Sequence, residues 1–136
     1  MIAHISGTLL FRGLRSVIVD VHGVGYRVYV APDVMQKLPI VGGVCTFFTH
    51  THVREDAMEL YGFISLSELE FFEMLISISG IGPRSALSVM GVAPIDSLKL
   101  AISSGDSTHL VKVSGIGRKT AEKIILELRD KLGVYA

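Results

Sequence analysis

The feature that most restricts how this chain can fold is an eight-residue pattern that occurs twice. Ser79-Gly80-Ile81-Gly82-Pro83-Arg84-Ser85-Ala86 and Ser114-Gly115-Ile116-Gly117-Arg118-Lys119-Thr120-Ala121 both read Ser-Gly-Ile-Gly, any residue, a basic residue, a hydroxyl, then Ala. The copies lie 35 positions apart (115 minus 80). Each follows an apolar segment with helical spacing and opens another helix. Two helices joined by so tight a corner need glycine, which tolerates positive φ and lets the backbone approach a ligand closely. The central Ile81 and Ile116 are expected to point inward and pin each corner to a core. A lone Gly-Ile-Gly is read first as an αα-turn without a ligand. Two copies in register are a repeated structural unit.

The residues before this repeat have a different period. Val17, Val19 and Val21 alternate with Ser16, Asp20 and His22, interrupted only by Ile18. Gly23-Val24-Gly25 is expected to turn, and Tyr26-Arg27-Val28-Tyr29-Val30 to continue as a second strand. Ile2 to Phe11, Val44 to Val53 and Ala57 to Phe63 supply three more, with a short helical excursion from Pro32 to Leu38. Five short strands fit a small barrel of the OB type. After Phe63 the spacing becomes helical. Ser67 with Glu70, or Ser65 with Glu68 in a second register, forms a capping box ahead of Leu69, Phe72, Leu75 and Ile76 on one face. Pro94 suits the first turn of the next helix and Gly105 its end. Asp106 is expected to cap a short helix containing Leu110. A last helix, Arg118 to Leu132, sets Ala121, Ile124, Ile125, Leu128 and Leu132 in one stripe. The expected class is α+β: a barrel over residues 1–64, then an all-α tandem-hairpin domain over 65–136.

Charge poses the first question about function. Thirteen Lys and Arg balance thirteen Asp and Glu, whereas a duplex binder usually carries a basic surplus. Either nucleic acid is not the partner, or the cations are gathered on one surface with the acids elsewhere. Position favours the second reading. The amides opening the second helix of each hairpin have no intrahelical acceptor, and the helix dipole adds partial positive charge there. A phosphate fits that place. Arg84, Arg118 and Lys119 stand in those first turns, locally unfavourable against the dipole and explained by phosphate contact. Lys123 lies four residues beyond Lys119 on the same face, although Lys123, Glu127 and Lys131 also make a solvated ladder. Contacts of this kind reach backbone rather than base edges, so binding without sequence preference and with steep salt dependence is expected.

Other features narrow the setting. No apolar run reaches the roughly 18 residues of a membrane helix, and Met1 to Gly7 lacks the basic and apolar regions of a signal peptide, so a cytoplasmic protein is expected. The single Cys45 lies in an apolar strand, as a buried reduced thiol would. No metal or other cofactor is expected.

Taken together, a five-stranded barrel and two Gly-Ile-Gly hairpins resemble the RuvA family, the Holliday-junction-binding subunits of the bacterial branch-migration complex. The likeness extends over the whole chain. It includes Gly23-Val24-Gly25-Tyr26, Val53-Arg54-Glu55-Asp56-Ala57 and Leu60-Tyr61-Gly62-Phe63, which are more specific than the hairpins that many DNA repair proteins share. The resemblance implies a homotetramer, or two tetramers closing as an octamer, on an open four-way junction. It implies that the amides around Gly80, Gly82, Gly115 and Gly117, with Arg84, Arg118, Lys119 and Lys123, hold phosphates across the minor groove of an arm. It maps an acidic pin onto Glu55 and Asp56, with Arg54 beside them as a contact at the crossover. Read without the family, Glu55-Asp56 is a solvated hairpin tip. It implies a non-catalytic subunit acting with a RuvB-type ATPase motor, with a RuvC-type resolvase as a further partner and no membrane. The family's third domain, which meets the motor, is expected to be absent, since nothing after Leu132-Gly133-Val134-Tyr135-Ala136 can supply it.

Two rival classes set the alternatives. Some DNA glycosylases follow such a hairpin with a catalytic lysine or aspartate, so a generic repair protein or a nuclease or glycosylase accessory domain is the runner-up. Asp106 precedes the second hairpin rather than following it, and no Walker A loop is present. His50 with His52, and Asp20 with His22, share strand faces but lack a third metal ligand. A single-strand binder would need aromatic platforms in a basic groove. Tyr26, Tyr29, Phe47, Phe48, Tyr61 and Phe63 are available, but the barrel half is not basic.

Overall fold

A computed structural model describes residues 1–133. The last three residues of the expected helical domain, 134–136, lie outside the described residues. The chain divides into two compact units, Met1–Glu70 and Phe71 onward.

The first unit contains β1 (His4–Arg12), β2 (Ser16–Val21), β3 (Val24–Tyr29), the short helix α1 (Pro32–Lys37), β4 (Val44–Arg54) and β5 (Ala57–Phe63). They close into a barrel in the order β1-β2-β3-β5-β4, antiparallel except where β3 meets β5. A β-bulge between Leu9 and Phe11 lets one strand serve two neighbours: β1 pairs Thr8 with Asp20 of β2 and Ile5 with Phe47 of β4. Such a bulge bends the strand and sharpens its twist, which closure requires. Alternate residues point inward, and Ile5, Leu9, Val17, Val19, Val28 and Phe47 are buried. Cys45 is buried with them, and burial pushes its thiol pKa up.

One expected turn is displaced. The β2–β3 turn is His22-Gly23, with φ of 52° and 91°, and Val24 and Gly25 already pair with Val21 and Asp20. Two consecutive positive φ values make the tight turn whose twist matches a hairpin. His22 is the one residue other than glycine at positive φ among the described residues. Asp20 Oδ1 accepts the Gly23 amide at 2.9 Å, so Asp20 and His22 both serve this turn.

Past the barrel the chain forms α2 (Leu66–Ile76), α3 (Pro83–Met90), α4 (Ile95–Ser104), a 3₁₀ turn at Leu110–Lys112 and α5 (Arg118–Gly133). The second capping register is the one adopted, because the Glu68 amide donates to Ser65 Oγ at 3.2 Å and Ser67 lies inside the helix. Pro94 precedes α4 as its N-cap rather than sitting within the first turn. Gly105 closes α4 in the left-handed region at φ 78°. The 3₁₀ turn has no side-chain cap; Asp106 binds the Thr108 hydroxyl and amide instead. Those two bonds hold its carboxyl below the usual carboxylate range. Along α5, Ala121, Ile124, Leu128 and Leu132 are buried and Ile125 is half-buried. Among the described residues no single helix is long and apolar enough to cross a membrane.

Candidate nucleic-acid interface

The two repeats fold alike down to individual hydrogen bonds. Gly80 has φ 92° and Gly115 has φ 87°. The Ile81 amide donates to Ile78 O at 3.0 Å, and the Ile116 amide donates to Val113 O at 3.1 Å. Each isoleucine is 5% exposed and anchors its corner in the core of the second unit, as the pattern predicted. Gly82 then starts α3 and Gly117 starts α5, their carbonyls accepting from Ala86 and Ala121 at 3.0 Å each.

These corners leave donors unmet. Among the described residues, no acceptor is bonded to the amides of Gly82, Arg84 and Ser85, or of Gly117, Arg118, Lys119 and Thr120. Gly82, at the N-cap of α3, can offer no side-chain oxygen as a substitute. A methyl group placed on Gly80, Gly82, Gly115 or Gly117 would meet nothing within 4 Å, so both corners open outward. At Gly80 and Gly115 the positive φ accounts for glycine. Gly82 has φ −91° and ψ 175°, extended backbone that any residue adopts. Neither conformation nor crowding within the chain requires glycine there. The open space beside Gly82 leaves the backbone there accessible to a close approach from outside.

The cations divide into two kinds. Arg84, Arg118 and Lys119 are exposed beside the corners. Arg118 Nε also meets Glu122 Oε1 at 3.5 Å, an i,i+4 pair open to solvent. Lys123 is half-buried, and its Nζ donates to Ser79 O at 3.0 Å, which brings the two hairpins together.

Arg54, Glu55 and Asp56 belong to the other unit. Glu55-Asp56 is a two-residue loop between β4 and β5, set by the pairing of Arg54 with Ala57, and both acids are exposed. Arg54 Nη2 lies 3.3 Å from Glu59 Oε1, and the same oxygen accepts from Tyr61 Oη at 3.3 Å. Glu59 and Tyr61 were missed as companions of Arg54. They are visible only once the strand register places Glu59 diagonally across the hairpin. His50 and His52 have ring centroids 6.4 Å apart, with no third potential metal ligand grouped with them among the described residues. Phe47, Tyr61 and Phe63 are buried, which removes half of the aromatics available for stacking single strands.

The chain matches the family model described as the RuvA N-terminal domain over residues 1–62, and the one described as a SAM-like helix-hairpin-helix tandem over residues 72–130. It is 45% identical over 132 residues to a protein of Caldanaerobacter subterraneus, covering 97% of this chain and 71% of that one. It is 45% identical to one of Syntrophotalea carbinolica (98% of this chain, 67% of that one). It is 46% identical to one of Methylibium petroleiphilum (98% and 69%). All three bear the name Holliday junction branch migration complex subunit RuvA. Barrel, duplicated hairpins and 45–46% identity over nearly the whole of this chain agree: this chain belongs to the RuvA family.

Proposed function

We propose that the chain binds four-way DNA junctions through the phosphates of their duplex arms, without reading base sequence, and holds them open for branch migration. The observation that carries this reading is the pair of outward-open glycine corners, each presenting unbonded helix-start amides. The names of the relatives support the same substrate. Gly80, Gly82, Gly115 and Gly117 form two phosphate cradles flanked by Arg84, Arg118 and Lys119, with Lys123 beside them. The barrel, residues 1–64, presents Glu55 and Asp56 as an acidic tip and carries the subunit contacts of a homotetramer, or of an octamer made of two. The hairpins, residues 65–136, hold the arms.

Acids facing phosphates repel a continuous duplex, and four copies about a symmetry axis concentrate that repulsion where the strands cross. Balanced net charge then reflects segregation of acids from bases. Arg54 meets phosphate at the crossover. The chain acts as a non-catalytic cytoplasmic subunit: a RuvB-type ATPase supplies the work through a further domain, and a RuvC-type resolvase acts on the held junction.

A competition assay among single strand, duplex and four-way DNA tests this. Four-way DNA should win by at least about tenfold, with log affinity falling by roughly 0.9 per phosphate neutralised per decade of salt. Equal affinity for all three would sink it. Replacing Glu55 and Asp56 by Gln and Asn should raise affinity for plain duplex, and no rise would reject the repulsive role of the tip.

A further inference from the structure

We infer that Lys123 is a positioning residue, whose ammonium ties the second hairpin to the corner of the first and fixes the separation of the two cradles. The inference rests on the phosphate-binding role proposed above. Lys123 Nζ donates to the carbonyl of Ser79 at 3.0 Å across 44 positions of sequence. Ser79 immediately precedes Gly80, whose φ of 92° makes the first corner. Lys123 lies on α5, the helix that springs from the second corner at Gly117. The bond therefore joins the helix of one cradle to the peptide that forms the other. It also satisfies a carbonyl just beyond the end of α2, where a cation is favoured.

The duplication shows that the tie is not a by-product of the hairpin pattern. The residue equivalent to Lys123 in the first copy is Ser88 (123 minus 35), on α3. Its hydroxyl donates to Arg84 O at 3.0 Å, inside its own helix. The repeat thus has no standing need for a lysine at this place, and the link runs in one direction only. Burial separates Lys123 from the other cations too. It is half-buried, whereas Arg84, Arg118 and Lys119 are exposed. Neighbouring Ile124 is fully buried, so the helix that carries the lysine is itself fixed against the core.

Two cradles on one scaffold engage two phosphates of one arm, and the second engagement is effectively intramolecular. Its strength depends on how well the cradle spacing is held. Loosening that spacing weakens binding while leaving the number of neutralised phosphates unchanged. A direct phosphate ligand behaves differently, because its loss lowers the salt slope by about one.

The test measures affinity for duplex and four-way DNA across a salt series for Lys123→Met, Lys123→Gln, Lys123→Arg and Lys119→Met. Lys123→Met should weaken both DNAs about threefold to tenfold with the wild-type salt slope. The Ile81 amide should exchange faster with solvent. Lys119→Met should lower the slope by about one. Lys123→Gln and Lys123→Arg, which can still donate to the Ser79 carbonyl, should recover most of the affinity. Two outcomes overturn the inference: a slope reduced by about one in both Lys123→Met and Lys123→Gln, or affinity and Ile81 exchange unchanged in all three Lys123 variants. Thermal melting checks that each variant is folded, and the Gln and Arg variants carry the test if Met is not tolerated. A wild-type protein with no salt-dependent duplex binding defeats the proposed function instead, a distinguishable result.

Discussion

A methyl group on Gly62 of β5 would sit 2.4 Å from Val28 Cγ1 and 3.1 Å from the Phe47 ring; one on Gly7 of β1 would sit 2.3 Å from the Asp20 carbonyl oxygen. On Gly82 or Gly117 it would meet nothing within 4 Å. The same residue type thus answers two different demands. In the barrel, glycine makes room for neighbours that belong to the chain, and the reason for it is visible inside the fold. In the hairpins, the room has no occupant within the chain. Folded-state crowding explains the first kind; on the proposed function, a phosphate that approaches the backbone explains the second. A glycine's surroundings are therefore a guide to whether it serves stability or binding.

Alanine at each place should break or sharpen this contrast. Gly62→Ala overpacks the barrel and should cost about 2 kcal/mol. For a unit of this size that lowers the melting temperature by roughly 10 °C, read by calorimetry. Gly82→Ala and Gly117→Ala should each weaken four-way DNA binding about tenfold, since a methyl group now stands between phosphate and amides. Their melting temperatures should move far less than that of Gly62→Ala. A sharper version is Gly82→Asp. Aspartate is a good N-cap for an extended residue at a helix start, so folding stability should rise by a few tenths of a kcal/mol. The carboxylate would occupy the anion site itself, and DNA binding should disappear. If Gly82→Asp still bound the junction well, the contrast between the two kinds of glycine would collapse.

Gly80 and Gly115 fall between these extremes, because both lie at positive φ with open space around them. Alanine at Gly80 should cost about 1 kcal/mol of stability for its left-handed backbone, and it should weaken binding as the corner shifts. Urea unfolding of the variant beside Gly82→Ala separates the two effects. Equal stability of the pair would mean that the corner relaxes without strain.

How much of this was legible from the residues alone follows from how far each requirement reaches. The corners were, because positive φ at Gly80 and an inward Ile81 are demands met within a few residues. The five strands were, through their alternation, but not the closing order, which depends on the parallel meeting of Val28 with Leu60 and of Tyr29 with Tyr61. The His22-Gly23 turn was misplaced because an ordinary residue took the left-handed position beside the glycine. The cap at Ser65 and its rival at Ser67 are indistinguishable until the first helical hydrogen bond forms. Most remote was the bond from Lys123 to Ser79. A backbone carbonyl 44 positions away has no side-chain signature in the sequence.

The contrast extends from glycines to ion pairs, with the smallest expected effect. In the barrel, Glu59 is held by the Arg54 guanidinium and the Tyr61 hydroxyl, and its side chain is only 15% exposed. In the second hairpin, Arg118 and Glu122 form a pair 87% and 63% exposed, of a kind worth a few tenths of a kcal/mol at most. Glu122→Gln should leave stability almost unchanged. It releases Arg118 and removes a negative charge close to the proposed phosphate, so duplex affinity should rise about twofold at low salt and converge with wild type at high salt. Glu59→Gln should show the reverse balance, a measurable loss of barrel stability through an oxygen that two donors share. If Glu122→Gln changed melting rather than binding, the outward face of the hairpin would be a structural surface after all. Arg118 would then be engaged by its own helix rather than held ready for DNA.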